Sequence, residues 1–307
     1  MRQRRSVNSR GTSGQGGAEL PTERLRTGRG PVEYRWERRS GSTTVVIFHG
    51  GHMRAGLSLG EEPYRASGCS LLIPSRPGYG KTPLSVGASP EEFADTAADL
   101  CSQLGITDVA ACVGISAGGP TAVAMAARHP DLVRRVVLES AVGPLPWPGL
   151  RTAAAARLVF SPRTEAATWR LTGTLLRKSP EAGLRFLLRD LTTESPTYAF
   201  SDLGEEGRSK MVALLSAMRS GAGFANDLDQ LRRVRPLRMP SVVQPALVVA
   251  SPQDGSVPFA HAEALVRALP HADLVVSSAP SHFVWFGPDR ARTASRIQQF
   301  VASPTDG

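Results

Sequence analysis

Short apolar runs alternate regularly with amphipathic segments along this chain, and this alternation limits the folds that the chain can form. The runs are rich in β-branched residues and lack polar alternation, which is typical of strands buried on both faces of a sheet. They lie at 43–48, 69–74, 109–113, 133–138, 246–250 and 274–277. Helical patterns separate them, at 89–104, 121–128, 259–269 and 290–301. This alternation predicts an α/β fold with a mostly parallel central sheet and helices on both faces.

The alternation is interrupted between residues 141 and 238, where helical patterns rich in Ala, Leu and Arg follow one another, at 152–160, 165–177, 181–191 and 205–220. An insertion at this point lies over the carboxyl ends of the strands, where open α/β sheets bind their ligands. We therefore predict a helical lid at 141–238 and a core formed by 31–140 and 239–307. Residues 1–30, with six glycines and seven arginines, are predicted to form a disordered basic tail. Order is expected to begin near Pro31, with an edge strand at 32–36.

The positive charge of the chain is unevenly distributed. The net charge of +9 comes from the tail, with seven arginines against two glutamates, and from the lid, with fifteen basic against nine acidic residues. The remaining residues are slightly acidic, and neither basic region has interleaved aromatic residues. The charge distribution argues against a uniformly basic nucleic-acid-binding fold, and the missing aromatic residues argue against nucleic-acid binding through the tail or the lid, so we expect no nucleic-acid partner. The charge of the lid leaves open a preference for acidic substrates.

Cysteine, histidine and hydropathy patterns set further limits. The three cysteines form no CxxC pair, and no histidine stands at metal-ligand spacing, so we expect neither a disulfide framework nor a bound metal. No apolar stretch reaches 18 residues, so no transmembrane helix is expected. The basic start of the chain leads into no apolar segment, which argues against a secretory signal and favours a cytoplasmic protein.

A candidate nucleophile lies between a predicted strand and a predicted helix. Residues 114–119 read Gly-Ile-Ser-Ala-Gly-Gly and place Ser116 at a sharp strand-to-helix turn. Because such a turn strains the backbone, the residues two positions away must be nearly free of side chain, and Gly114 and Gly118 meet that need. The following helix directs its N-terminal amides toward the same point, where they favour developing negative charge. The pattern therefore predicts a catalytic serine.

A serine nucleophile requires a base, and His282 fits best among the six histidines. It stands after the last predicted strand and before the final helix, in a loop that reaches the carboxyl edge of the sheet. The histidines outside the first loop are assigned to helices or their ends: His129, His261 and His271. The acid that orients the base is assigned to Asp254, which follows the strand at 246–250. Asp227 and Asp229 are weaker rivals in the insertion.

The turn at 49–52, His-Gly-Gly-His, follows the strand at 43–48 and can direct a backbone N–H at the attacked carbonyl oxygen. The donor on this loop is Gly51 or His52, and the sequence leaves the choice open. A second donor is the N–H of Ala117, directly after the nucleophile. The reaction that these groups support needs no cofactor.

These motifs together resemble the α/β-hydrolase fold superfamily, in particular its lid-bearing, esterase-like branch. The resemblance rests on the order Ser, Asp, His, on the HGG turn and GxSxG, and on three loops: 75–82 (SRPGYGKT), 254–258 (DGSVP) and 280–283 (PSHF). Ser281 replaces the glycine common before the histidine. The resemblance covers about residues 31–140 and 240–303, and implies that Ser116 attacks an acyl carbon, His282 transfers the proton and Asp254 orients the imidazole. Relatives that use an aspartate nucleophile are disfavoured by Ser116.

The resemblance implies a serine hydrolase that cleaves a small ester, lactone, thioester or related acyl bond. Alternatives within the same fold are C–C bond hydrolysis, peptidase or acyltransfer activity, and a non-catalytic, ligand-sensing protein. The expected partner is a small-molecule substrate, an anionic or an apolar acyl compound. Its pocket is assigned to aromatic residues near the site, Trp147, Phe283 and Trp285. Further aromatic candidates in the insertion and near the base are Phe160, Trp169, Phe186, Tyr198, Phe224 and Phe286.

Overall fold

A central sheet of eight strands organises the chain. The computed structural model describes residues 19–161, 163–232 and 239–303. The strands are β1 (Glu23–Thr27), β2 (Gly30–Glu37), β3 (Thr44–Phe48), β4 (Ser70–Pro74), β5 (Val109–Ile115), β6 (Val136–Glu139), β7 (Ala246–Ala250) and β8 (Ala272–Val276). Their order in the sheet is β1-β2-β4-β3-β5-β6-β7-β8. β2 pairs antiparallel with β1 and with β4, and all the other pairs are parallel.

Eleven helices accompany the strands in the described residues. Those of the core are α1 (Glu62–Ala66), α2 (Pro90–Gln103), α3 (Gly119–Arg128), α10 (Ala260–Ala268) and α11 (Arg290–Ala302). Those between β6 and β7 are α4 (Leu150–Val159), α5 (Glu165–Lys178), α6 (Pro180–Leu188), α7 (Pro196–Asp202), α8 (Gly204–Ala217) and α9 (Gly223–Leu231). We refer to the described residues between β6 and β7 as the helical insertion.

Successive residues of a strand point to opposite faces of the sheet, and helices cover both faces. Along β3, Val46 and Phe48 pack with apolar residues of α2, α3 and α10, whereas Val45 and Ile47 pack with residues of α1 and α11. All five residues of β3 and all seven of β5 are buried. The continuous apolar runs therefore mark strands buried on two sides, and the predicted fold class is confirmed.

The first strand begins earlier than the sequence pattern predicts, at Glu23 and not near Pro31. β1 lies within the segment predicted to be a disordered tail, and Tyr34 of β2 donates a hydrogen bond to Glu23 at 2.9 Å. Because β1 pairs with residues 30–34 of β2, β2 is an interior strand and not the edge predicted at 32–36. A five-residue strand with mostly exposed side chains carries no apolar signal, which explains the error. Residues 1–18 lie outside the described residues.

The helical insertion contains more helices than its sequence pattern predicts. Two short ones, α7 and α9, were not expected, and the strand predicted at 133–138 is shorter, at Val136–Glu139. Trp169 of α5 and Met211 of α8 are buried in an apolar cluster that also includes Met53 and Phe283 of the core. The insertion thus packs on the edge of the sheet at which the parallel strands end.

Candidate active site

Ser116 occupies the sharp turn between β5 and α3. The backbone φ of Ser116 is +51°, and the residue is 8% exposed to solvent. A Cβ added at Gly114 would lie 2.6 Å from the Cα of Gly119, and one added at Gly118 would collide with the carbonyl oxygen of Phe48. The glycines two residues before and after the serine are therefore sterically required, as the sequence pattern predicts.

Backbone strain is concentrated around this serine. Within the described ranges, the non-glycine residues with positive φ are His52 at +64°, Ser116 at +51° and Ser140 at +46°. All three follow the carboxyl ends of adjacent strands, namely β3, β5 and β6. Strained residues persist only where the surroundings enforce them, and they cluster at functional sites. The strain thus marks this edge of the sheet as the candidate active site.

The first loop lies directly against the serine. A Cβ added at Gly50 would be 2.8 Å from the Cβ of Ser116 and 3.3 Å from its Oγ. His49, at the start of this loop, is buried, and its Nε2 lies 3.0 Å from Oε1 of Glu61. Burial opposes ionisation of Glu61, but its bonds with His49 and Arg35 lower its pKa to about 2. His49 therefore anchors the first loop to Glu61.

His282 and Asp254 form a hydrogen-bonded pair. The Nδ1 of His282 lies 2.6 Å from Oδ2 of Asp254, and both side chains are buried. The other carboxylate oxygen of Asp254 accepts hydrogen bonds from the backbone N–H groups of Ser256 and Val257, each at 2.8 Å. The carboxylate of Asp254 is therefore bound by the imidazole through one oxygen and by the backbone through the other.

The segment after β6 connects this pair to the serine. The backbone N–H of Val142 donates to the carbonyl of Ser116 at 2.9 Å. Two residues earlier, the hydroxyl of Ser140 donates to the carbonyl of His282 at 2.8 Å. Among the described residues, this segment and not a direct hydrogen bond joins Ser116 to the pair of Asp254 and His282.

The helical insertion contacts the loops of the base and the acid. The backbone N–H of His282 donates to the carbonyl of Leu191 at 2.8 Å, and that of Gly255 donates to the same carbonyl at 3.3 Å. Thr192 pairs with Asp254 in an isolated bridge, and its hydroxyl donates to the carbonyl of Pro280. The residues after α6 therefore hold both loops in place.

His52 belongs to a contact between the first loop and the insertion. Its Nδ1 lies 2.7 Å from the hydroxyl of Ser220, and its ring centroid lies 4.0 Å from that of Phe224 and 4.6 Å from that of Phe160. Burial, with a smaller effect of the Arg76 charge, lowers the pKa of His52 to about 3. The side chain is therefore neutral at physiological pH and acts as an aromatic contact.

An apolar cluster surrounds the nucleophile turn. Ala117 packs there with Trp147 and Phe224, and the ring of Phe224 also lies against Gly51. The indole N–H of Trp147 donates to the carbonyl of Ser256 on the acid loop, at 2.7 Å. The remaining members of this cluster are Tyr79, Val142, Leu228, Leu231 and Val257, with Ala156 and Phe160 at its border.

Two of the other aromatic candidates lie beside or beneath the base. The ring of Phe283 has its centroid 5.9 Å from that of His282 and packs with the insertion. Trp285 directs its indole N–H at Glu139 and packs beneath the loop. Phe186 and Tyr198 are more than half exposed, so the structure places neither in a buried cluster at the site.

A buried ion pair that the sequence did not predict connects the core with the insertion. Both terminal nitrogens of Arg76 bind the carboxylate of Asp227 on α9, each at 2.7 Å, and the hydroxyl of Tyr79 donates to the same carboxylate at 2.6 Å. The Nε of Arg76 donates to the carbonyl of His49. Asp227, considered above as a rival acid, is therefore paired with Arg76 and not with His282. Its exposed neighbour Asp229 pairs with Arg157.

Glu139 is a second residue that the sequence analysis missed. It ends the apolar strand β6, is fully buried, and accepts hydrogen bonds from the hydroxyl of Tyr64 at 2.7 Å and from the indole of Trp285. Burial raises the pKa of Glu139 to about 7, although both hydrogen bonds lower it. A charged residue at the end of an otherwise apolar strand was the available signal.

No described helix is long and apolar enough to cross a membrane. Nowhere in residues 19–161, 163–232 and 239–303 do three or more His, Cys, Asp or Glu side chains gather as they would to hold a metal ion.

Comparison with known proteins identifies similar chains. A family model described as the alpha/beta hydrolase fold matches residues 43–288. The chain is 29% identical over 267 residues to the uncharacterized hydrolase YcgS of Bacillus subtilis, covering 85% of this chain and 92% of that protein. It is 28% identical over 249 residues to a pimeloyl-[acyl-carrier protein] methyl ester esterase of Aromatoleum aromaticum, covering 75% and 87%. An alpha/beta hydrolase fold protein from Nakamurella multipartita superposes with a TM-score of 0.78 at 26% identity, covering 92% and 99%.

Proposed function

Because the chain belongs to the alpha/beta hydrolase fold family and is a hydrolase, we propose that it cleaves a small ester or related acyl bond through an acyl-enzyme on Ser116. The observation that carries the proposal is the pair of His282 and Asp254. An imidazole bound through Nδ1 to a carboxylate, whose second oxygen is held by two backbone amides, is suited to act as a general base through Nε2.

The reaction proceeds in two halves. In the first, the Oγ of Ser116 attacks the acyl carbon while His282 takes its proton and passes it to the leaving group. In the second, water attacks the acyl-enzyme, His282 accepts a proton from the water, and the Ser116 oxygen leaves with a proton returned by the imidazole. Asp254 keeps the imidazole in its productive tautomer and stabilises the imidazolium that forms in each half.

The negative charge that develops on the carbonyl oxygen is stabilised by two backbone N–H groups. One is the N–H of Ala117, at the start of the turn that leads into α3, and the other is the N–H of Gly51 or His52 in the first loop, which lies directly against Ser116. Removing one such donor from a hydrolase costs about 10²–10³ in kcat.

We assign the acyl side of the substrate to an uncharged, apolar group. The side chains grouped around the nucleophile turn are Trp147, Phe160 and Phe224 together with the neutral imidazole of His52. Arg76, whose Nε binds the carbonyl of His49 in the first loop, is buried and is neutralised by Asp227. Because this cation is paired and the clustered side chains are apolar, we favour an apolar acyl group over an anionic one. In this proposal the helical insertion is the lid that forms the acyl pocket.

A series of p-nitrophenyl esters tests this proposal. We expect turnover of the acetate and a higher kcat/KM for the butyrate and hexanoate, because the longer chains reach the apolar cluster. A hemisuccinate ester of similar length is expected to be a poorer substrate, since its carboxylate would be desolvated without a partner. A preference for the hemisuccinate, weakened by added salt, would instead favour anionic substrates.

Three variants connect this activity to the assigned residues. Ser116→Ala and Asp254→Asn are expected to lose at least about 10³-fold in kcat. Asp229→Asn, which changes an exposed aspartate of α9, serves as the matched control and should retain wild-type kinetics. Wild-type protein that hydrolyses no ester, lactone or thioester would contradict the proposal, as would full activity of Ser116→Ala.

A further inference from the structure

Glu139 occupies an unusual position for a carboxylate. It is 0% exposed at the carboxyl end of β6, and in the described parts of the chain no arginine, lysine or histidine forms an ion pair with it. Its two oxygens are each bound by a neutral donor, Oε1 by the hydroxyl of Tyr64 and Oε2 by the indole of Trp285. A buried charge without a counter-ion is costly, so these two hydrogen bonds carry the stabilisation of the carboxylate.

The two donors connect Glu139 to the loop of the base. Trp285 stands three residues after His282, in a short 3-10 turn that spans Val284–Phe286. At the other end of this segment, the hydroxyl of Ser140 donates to the carbonyl of His282 at 2.8 Å. Two consecutive residues of the chain, Glu139 and Ser140, thus hold the two ends of the segment that carries the imidazole.

The indole of Trp285 has little freedom to move away from this contact. A Cβ added at Gly60, whose φ is +75°, would lie 2.6 Å from the indole nitrogen and 3.1 Å from Cδ1 of Ile115. Ile115 precedes the nucleophile and pairs with Glu139 across β5 and β6. Trp285 is therefore seated in a tight space, in which its one polar atom faces the carboxylate of Glu139.

We infer that Glu139 is a positioning residue for His282, and that its ionised carboxylate holds the indole of Trp285 and thereby fixes the loop of the base. The inference rests on the proposed role of His282. Glu139 itself does not touch the reacting atoms, since its oxygens are directed at Tyr64 and Trp285. Its effect is transmitted through the backbone between Trp285 and His282.

Protonation of Glu139 changes this contact. The ionised carboxylate accepts from both donors, whereas a protonated carboxyl presents a hydroxyl that the indole, which only donates, cannot accept. The protonated form must then either turn its hydroxyl toward Tyr64 or release the indole of Trp285. Burial raises the pKa of Glu139 to about 7, so this change falls in the physiological range.

The surroundings of Glu139 present few other titratable groups. The phenol of Tyr64 faces Glu139 from α1. Burial raises the pKa of this phenol well above 10, so the phenol remains a hydrogen-bond donor, and the thiol of Cys69 lies close to it. On either side in the sheet, β5 and β7 pair Ile115 and Val249 with Glu139. α11, which packs against α1, turns Thr293, Ile297 and Val301 inward. The titration of Glu139 is therefore governed by its own burial and its two hydrogen bonds.

The test measures the loop and the activity separately in the full-length protein. The first readout is the fluorescence of Trp285, obtained as the difference between the wild type and Trp285→Phe, followed from pH 5 to 9. We expect a transition with a midpoint near 7 in the wild type and none in Glu139→Gln. Tyr64→Phe should shift the midpoint to higher pH, because it removes a hydrogen bond that lowers the pKa of Glu139.

The second readout is the pH dependence of kcat on the best ester. The acid limb of the wild type should include a deprotonation of Glu139 that the limb of Glu139→Gln lacks. Loosening the loop should lower kcat of Glu139→Gln about tenfold at pH 8, the order of loss that small misplacements of reacting groups produce. KM should change little, because Glu139 lies beneath the substrate pocket.

The outcomes separate this inference from the proposed function. A wild-type protein without activity overturns the proposed role of His282, while the fluorescence transition still reports on the contact between Glu139 and Trp285. If Tyr64→Phe leaves the midpoint unchanged, or Glu139→Gln keeps the transition and the acid limb of the wild type, the inference is wrong. A Glu139→Gln protein that fails to fold leaves Tyr64→Phe to decide, because that variant retains the carboxylate.

Discussion

The buried pair of Arg76 and Asp227 gives a stability prediction with a control on the same helix. Asp227→Ala removes the partner of a guanidinium whose side chain is 7% exposed, and leaves that charge without compensation. Breaking a buried pair in this way costs about 3–5 kcal/mol. The hydroxyl of Tyr79 also loses its acceptor, which adds about 1 kcal/mol. We therefore expect the free energy of unfolding to fall by about 4–6 kcal/mol.

The matched control is Asp229→Ala, two residues further along α9. Asp229 also pairs with an arginine, Arg157, but both side chains are about half exposed. Exposed pairs contribute about 0–1 kcal/mol because water screens them. Urea unfolding of the two variants, followed by circular dichroism and tryptophan fluorescence, should therefore separate them by at least about 3 kcal/mol. Equal losses of unfolding free energy in the two variants would show that burial does not set the strength of the pair of Arg76 and Asp227.

A double variant distinguishes the cost of an orphaned charge from the loss of the contact itself. Arg76→Met combined with Asp227→Leu replaces both charges by apolar side chains of similar volume. Such replacements of buried pairs are often neutral or stabilising. The double variant should therefore recover most of the stability lost in Asp227→Ala. A double variant as unstable as that single one would show that the hydrogen bonds, including that of Arg76 to His49, dominate.

Three further predictions concern other parts of the molecule. The pKa of Glu139 is raised in the folded state, so Glu139 of the unfolded chain loses its proton first as the pH rises from about 4.5 to about 7. The free energy of unfolding of the wild type should therefore fall across that window by about 3 kcal/mol relative to that of Glu139→Gln. Urea unfolding at pH 5 and 8 measures the difference. Equal pH profiles would contradict this. Gly50→Ala should reduce kcat at least about tenfold while the fold persists, since its methyl group would press on Ser116; a fully active variant would contradict the contact. Deletion of residues 1–27 removes β1 and should lower the urea midpoint, whereas deletion of residues 1–18 keeps every described strand and serves as its control.

Much of the sheet could be predicted from the sequence because its strands are buried on both faces. Continuous runs such as Val45–Phe48 leave no polar face for water and therefore mark interior strands. β1 escaped prediction because its energetic support is a ladder to β2, and such pairing leaves no trace in the hydrophobic pattern. α7 and α9 escaped for a similar reason, since they are short and are held by tertiary contacts more than by their own periodicity.

In the candidate site, too, local sequence patterns could be predicted and tertiary contacts could not. The serine turn could be found because its glycines are sterically required, and the loops of Asp254 and His282 because they follow strands that end at one edge. The partners of Glu139 and Arg76 could not be found, because each comes from a segment distant in sequence: Tyr64 lies 75 residues from Glu139, and Asp227 lies 151 residues from Arg76. Burial and pairing over such distances depend on the assembled fold.

The site at which a fluorophosphonate reacts shows directly whether Ser116 is the nucleophile. We expect a single adduct per chain by intact mass, mapped to the peptide that contains Ser116, with no adduct in Ser116→Ala and slow formation in Asp254→Asn. Ser278→Ala, at an exposed serine of the loop after β8, should react as the wild type does. An unlabelled wild-type protein, or an adduct that persists in Ser116→Ala, would contradict the assignment of Ser116 as the nucleophile.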